Sequence, residues 1–225
     1  EAAAGGDSPL SVEQIREQIP IARQAQSRIV TKQDLIARIY TLPAKYGRVF
    51  RVGIRPDPNH PLTSRLYIIS RDRNLKLAPS PDSLKKNLQK YLNDFRLISD
   101  SIDILDACVV NFRVITHIMV GPTYNKQEVL LDVRRNVASI LQMKFMQIDR
   151  PIMEADIINQ IINTKGVIAM PFFEVKGVSG EFEGRQYSSY VYDMYNATRK
   201  GMYIPPEGGI FEFKFPDEDC SVTVL

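Results

Sequence analysis

The stretch CVVNFRVITHIM, residues 108–119, decides the fold class. Cys108, Val110, Phe112, Val114 and Ile118 fall on one side of a two-residue repeat, with Thr116 the one polar interruption. Asn111, Arg113 and His117 fall on the other side, together with Val109 and Ile115. Successive side chains of a strand point to opposite faces, so this pattern predicts a long β-strand with one well-buried face. Gly121-Pro122 ends it. Asn125 then caps a helix whose Val129, Leu130, Val133, Val137, Ile140 and Leu141 share one stripe. A further helix carries Ile157, Ile158, Ile161 and Ile162 and closes near Gly166. Val167 to Val175 reads as another strand.

Upstream, Thr31-Lys32-Gln33-Asp34 is a capping signal ahead of Leu35, Ile36, Ile39 and Tyr40, and Pro43 and Gly47 stop that helix. Arg48–Ile54 and Leu66–Ser70 read as strands around a proline-rich loop. Ser80-Pro81 reads as an N-cap followed by proline at the first helical position, with Leu84, Leu88, Tyr91, Leu92 and Phe95 on one helical face. At the start of the chain, Ser11 and Gln14 make a capping pair, with Leu10 and Ile15 as its hydrophobic staple, and Pro20 ends that short helix.

Composition shifts after Gly177. Glycines alternate there with Tyr187, Tyr190, Tyr192 and Tyr195, then with Phe211, Phe213 and Phe215, which read as one aromatic face of a last long strand. Cys220–Leu225 reads as one more strand. The expectation is an α+β protein, with a mixed-sheet α+β body and a β-rich C-terminal region. Its parts are a linker and short helix over 1–26, the body over 27–176 and the β-rich region over 177–225.

Chemistry is sparse. A chain of 225 residues with Lys+Arg 29 against Asp+Glu 26 can bury a core, and its small net charge does not by itself call for nucleic acid or an anionic membrane. Two cysteines make no disulfide framework, and Cys108 reads as a buried small hydrophobe. No apolar run has the length of a membrane span, and no secretory leader precedes the first helix. The chain opens on Glu1, which reads as an excerpt or a processed product.

His60 and His117 are the two histidines, and neither stands in a metal-ligand spacing, so no metal and no cofactor are expected. GxSxG, GxGxxG and the P-loop pattern are all absent, and no catalytic residue is assigned. Asp100, Asp103 and Asp106 read as solvated residues of a helix-to-strand connection, and Asp217, Glu218 and Asp219 as an exposed acidic turn. Arg71, Arg73, Lys76, Lys85, Lys86 and Lys90 form a basic cluster. It supports an alternative reading as a nucleic-acid-binding α+β module. The simpler reading is a solvated helix face.

Gly5-Gly6, Ile15-Arg16, Pro20, Arg28, Val30-Thr31 and Asp34 form a spaced series ending in an Arg-x-Val-Thr-x-x-Asp segment, Arg28 to Asp34. The series resembles the baseplate J-like family of contractile-tailed phages, in the long form of the T-even-type baseplate wedge subunits. Leu35 stands where the family often has an aromatic residue. The resemblance implies a structural subunit of the virion, assembled in the host cytoplasm and placed in the tail baseplate. It implies self-association as a homodimer and a ring around the tail hub, with other wedge proteins as partners, and rearrangement when the sheath contracts. No enzyme activity, membrane or nucleic acid belongs to that picture. The aromatic run Tyr187, Tyr190, Tyr192 and Tyr195 is the candidate protein–protein interface, since such contacts favour exposed aromatic surface.

Overall fold

The computed structural model describes residues 28–60, 62–97 and 100–225, together with Val12 and Arg16. The expected Ser11 cap and its helix otherwise lie outside the described residues, as do Gly5, Gly6, Ile15 and Pro20. The fold is α+β, and the chain divides into two compact units, residues 1–107 and 108–225. The compositional shift after Gly177 falls inside the second unit.

In the first unit, helix α1 spans Lys32–Tyr40. Thr31 Oγ1 accepts from the Asp34 amide at 3.1 Å, while the Asp34 carboxylate accepts from the Thr31 amide at 2.9 Å. Two donors that a helix start leaves orphaned are thereby satisfied. A 3-10 turn at Ala44–Tyr46 follows, closed by Gly47 at φ 103°. Strands β1 (Arg51–Pro56) and β2 (Thr63–Arg71) pair antiparallel, Arg51 opposite Ile69. The two-residue β3 (Leu77–Ala78) folds back on Ser70 and Arg71.

Helix α2 (Asp82–Asn93) then crosses over to β4 (Ser101–Asp106), which runs parallel to β2 with Thr63 opposite Ser101. Leu84, Leu88 and Leu92 of α2 and Leu35 and Ile39 of α1 bury against Val52, Leu66 and Ile68 of the sheet. Each such side chain contributes roughly 1.5–3 kcal/mol on burial.

Two expectations fail in this unit. Ser80 does not cap α2: Pro81 occupies the N-cap position with no side-chain bond, and Ser80 Oγ is spent on Ser70 Oγ at 2.9 Å. Asp103 and Asp106 do not sit in a connection but in β4 itself. The aspartates disfavour a strand, yet Ile102 and Ile104 flank Asp103 on the opposite face and pack on the helix-covered core, and that packing decides.

The second unit is built on β5 (Cys108–Val120). β7 (Val167–Val178) pairs with it antiparallel, with register shifts between His117 and Val120. Along its other edge two strands lie end to end and parallel to it. β12 (Gly209–Glu212) covers Cys108–Asn111, and β13 (Cys220–Val224) covers Val114–Ile118. The helical turn α5 (Pro216–Asp219) loops out between them.

Helix α3 (Lys126–Ile140) is capped by Asn125, whose Oδ1 accepts from the Gln127 amide at 3.0 Å. α3 lies against β13, and α4 (Glu154–Ile162) against β7. Val129, Val133, Val137, Ile157 and Ile161 bury there, with Val110, Phe112, Val114 and Ile118 at or below 1% exposure. The exceptional Thr116 is buried too, its hydroxyl donating to the Phe172 carbonyl at 3.0 Å. Gly166 at φ 94° lets the chain turn from α4 into β7 where a Cβ would stand 2.7 Å from Val129.

Cys108 is half exposed rather than buried, because it begins the strand; Cys220 is the fully buried thiol, and burial pushes it up to about 12. The aromatic strand is shorter than its alternation suggests. It ends at Glu212, with Phe211 and Phe213 both packed on Phe112 at centroid distances of 5.8 and 5.6 Å. Phe215 precedes α5 and meets the ring of Tyr187 edge-on at 5.4 Å.

Candidate interaction surfaces

The tyrosine run occupies an irregular segment between two short ribbons. The first is β8 (Glu181–Phe182) with β9 (Arg185–Gln186), and the second is β10 (Thr198–Arg199) with β11 (Met202–Tyr203). β11 also pairs with β6 (Ile152–Met153), which ties the segment to the start of α4.

The four tyrosines have different surroundings. Tyr187 is buried, and its hydroxyl donates to Asp219 Oδ1 at 2.7 Å. Tyr192 is half-buried and donates to the Ile204 carbonyl at 2.7 Å. Tyr190 stacks on Tyr192 at 6.3 Å and is 39% exposed, while Tyr195 is 87% exposed. Tyr187 therefore anchors the segment, and Tyr190 and Tyr195 are what it presents outward.

The anchor is a buried polar network that sequence reading missed. Asp219 Oδ2 accepts from the Phe215 amide at 2.8 Å, so this residue of the supposed exposed acidic turn is an interior one. Burial raises its pKa against the hydrogen bonds that favour its ionised form, and burial likewise raises that of Tyr187. Asn111 spans the strand and the loop: its Nδ2 donates to Glu212 Oε2 at 2.9 Å and its Oδ1 accepts from the Ser188 amide at 2.7 Å. At the rim Arg185 meets Glu218 at 2.7 Å, and Arg113 lies over the Phe182 ring at 4.9 Å. The local hint in the sequence was Asn111, a polar residue between Val110 and Phe112 of β5.

In the first unit the residues of the basic cluster have different surroundings. Lys85 is held by Asp106 at 2.6 Å and Asp82 at 3.3 Å, and the Asp106 bond raises its pKa. Arg71 lies 3.5 Å over the ring of Phe50, with Arg51 at 4.1 Å from the same ring. Lys86 and Lys90 are exposed on α2. Nor do the three aspartates converge: Asp103 and Asp106 point to opposite faces of β4. His117 of the second unit stacks on Phe172 at 4.9 Å.

Each unit also carries a concavity among its described residues. A groove of about 590 Å³ is lined by Ile102, Asp103, Ile104 and Leu105 of β4, by Asp57 and Arg65, and by Asp82, Lys85, Lys86 and Gln89 of α2. In the second unit a cavity of about 320 Å³ lies between the end of α3 and the start of α4, lined by Leu141, Phe145, Met146 and Met153.

No family model matches the sequence, and neither does any curated protein. A chain of the cryo-EM structure of the anti-feeding prophage baseplate, solved with 6-fold symmetry, has a similar fold, with a TM-score of 0.53 at 10% identity. The likeness takes in 77% of this chain and 39% of that one. At such identity it is a likeness of fold, and the present chain spans well under half of the larger one.

Proposed function

We propose that this chain is a structural component of a contractile-tail baseplate, with a scaffolding rather than a catalytic role. The observation that carries the reading is the fold shared with a chain of the anti-feeding prophage baseplate. The Arg28–Asp34 segment supports it from a separate direction. Its Thr31 and Asp34 form the reciprocal cap of α1, and its Ile29 is buried, with its amide bonded to the Phe95 carbonyl at 3.0 Å.

The finer reading is a wedge-type subunit. It self-associates as a homodimer, builds a ring around the tail hub with other wedge proteins, and rearranges when the sheath contracts. It has no membrane or nucleic-acid partner, and it is assembled in the host cytoplasm. The Tyr187–Tyr195 segment serves as one contact surface, with Tyr187 and the half-buried Tyr192 holding it and Tyr190 and Tyr195 forming its outer side. An aromatic surface on an anchored loop loses little conformational freedom on docking, which favours specific association.

Gold-labelled antibody against this chain, applied to purified contractile particles from the source, tests the assignment. Label confined to the baseplate end of the tail supports it. Label along the tube, on the capsid or nowhere on intact particles refutes it. Replacing Tyr190 and Tyr195 by Ser tests the surface: the chain keeps its fold and loses affinity for its baseplate neighbours.

A further inference from the structure

We propose that α5 and β13 together form a strap, Pro216–Val224, whose seating along β5 decides whether the tyrosine segment is held in its docking shape. The inference rests on the reading of Tyr187–Tyr195 as a contact surface and supplies the regulation of that surface.

The strap is a separable piece of the sheet. β12 covers Cys108–Asn111 of β5 and β13 covers Val114–Ile118, so the two parallel ladders are not continuous. Phe112 and Arg113 of β5 fall in the gap, where α5 carries the chain out of the sheet and back. β13 can therefore lift while β12 stays. Among the described residues β13 pairs with β5 alone, in the parallel mode that is slightly weaker per residue. Of its side chains, Cys220 and Val222 are the buried ones. By contrast, β7 is laid along β5 from Asn111 to Val120. A short, sparsely buried strand belongs to the low end of local stability, from which moving elements are drawn.

The tyrosine segment is tied to this strap. Tyr187 donates to Asp219 Oδ1 at 2.7 Å, and Arg185 meets Glu218 Oε1 at 2.7 Å. The other Asp219 oxygen accepts from the Phe215 amide at 2.8 Å, where the strap begins. The Phe215 ring meets Tyr187 edge-on at 5.4 Å and has the Arg185 guanidinium over it at 5.1 Å. Asp219 immediately precedes Cys220, which stands opposite Val114 in the ladder. No residue of slack separates the carboxylate from the strand, so β13 cannot leave β5 with Asp219 still in place.

A second tie, from the Ser188 amide to Asn111 Oδ1, belongs to β5 and stays behind. Lifting the strap thus releases Tyr187 and Arg185 and leaves the segment held at Ser188. Tyr190 and Tyr195 then spread over many positions, and docking must order them again, which weakens association. By reciprocity, a partner that grips the ordered tyrosines tightens β13 on β5 by the same factor.

Hydrogen exchange of the full chain, read by NMR, tests the coupling. Val222→Ala and the milder Val222→Thr loosen β13 three residues beyond Asp219. In Val222→Ala the β13 amides should exchange about ten-fold faster, and the Tyr187 and Ser188 amides should follow by a like factor. Ile161→Ala, a deletion at a fully buried position of α4 against β7, should leave those amides at wild-type rates. With Tyr187→Phe and Arg185→Ala both in place the ties are cut, and adding Val222→Ala should then change the Ser188 rate by no more than about two-fold. Wild-type rates at Tyr187 and Ser188 while β13 loosens overturn the strap. So does a β13 that neither Val222 variant loosens, or that in the wild type exchanges no faster than the β5–β7 ladder. Equal acceleration of the same amides by Ile161→Ala overturns it as well. Neighbour binding that ignores the Tyr190 and Tyr195 replacements sinks the contact surface instead and leaves these exchange rates as they are.

Discussion

Replacing Tyr187 by Phe removes one oxygen from the interior of the second unit and should loosen the loop that carries the exposed tyrosines. The lost bond is a 2.7 Å donation to a buried carboxyl, made by a side chain only 5% exposed. A hydrogen bond to a charged group contributes about 1.5–3 kcal/mol, and leaving Asp219 Oδ1 unpaired in the interior keeps the loss near the upper end. Every 1.4 kcal/mol is a factor of ten, so opening of the loop should become roughly ten- to hundred-fold more frequent.

Hydrogen exchange read by mass spectrometry is the assay. The amides to watch are those of Tyr187, bonded to the Gly180 carbonyl at 2.8 Å, and Ser188, bonded to Asn111. Their exchange should accelerate by that factor, while α1 and α2 in the first unit keep wild-type protection. Unchanged exchange at Tyr187 and Ser188 would refute the idea that the Tyr187–Asp219 bond holds the loop.

A pH dependence follows from the same pair. Asp219 has a raised folded pKa, so its contribution to stability is fully present below the ordinary carboxylate value of 3.8 and is lost as pH rises through the folded value. Loop opening in the wild type should therefore grow easier from acid toward neutral pH. Asp219→Asn, which cannot ionise, should flatten that slope.

Further perturbations separate core, turn and cap. Phe112→Ala leaves a hole facing Phe211 and Phe213 and should cost about 3–5 kcal/mol in urea unfolding of the second unit. Gly166→Ala must hold φ 94° with a Cβ 2.7 Å from Val129, and a loss of roughly 1–3 kcal/mol should appear as a lowered Tm. Thr31→Ala removes the α1 cap and should cost about 1 kcal/mol in the first unit, read from urea unfolding. Asp34 behaves oppositely to Asp219. The Thr31 amide lowers its pKa, so the support it gives α1 is complete above 3.8 and disappears as pH falls through the lower folded value.

The parts of the fold readable in the sequence are those whose cause is local. The cap at Thr31, the stripe of α3 and the alternation of β5 each lie within a dozen neighbouring residues, where helix and strand periods differ plainly. β4 escapes because Asp103 and Asp106 look like turn chemistry until Ile102 and Ile104 are seen on the core. Ser80 looks like a cap because nothing nearby shows that Ser70 will claim its hydroxyl. The candidate surface is legible in composition alone. Four tyrosines mark a segment, but which of them is an anchor depends on Asp219, 32 residues further along the chain. Asn111 likewise meets Glu212 across 101 residues, a pairing no short window contains.

That long separation bears on how the protein is made. β5 leaves the ribosome about a hundred residues ahead of β12 and β13, which must later settle along one of its sides. In the interval the nascent chain can close β5 against β7 and lay down its helices, yet it carries a bare flank of Val110, Phe112 and Val114 backbone. Translation stopped near Glu207 would leave that flank permanently open, and such a fragment should clump or recruit chaperones rather than circulate as a smaller folded protein.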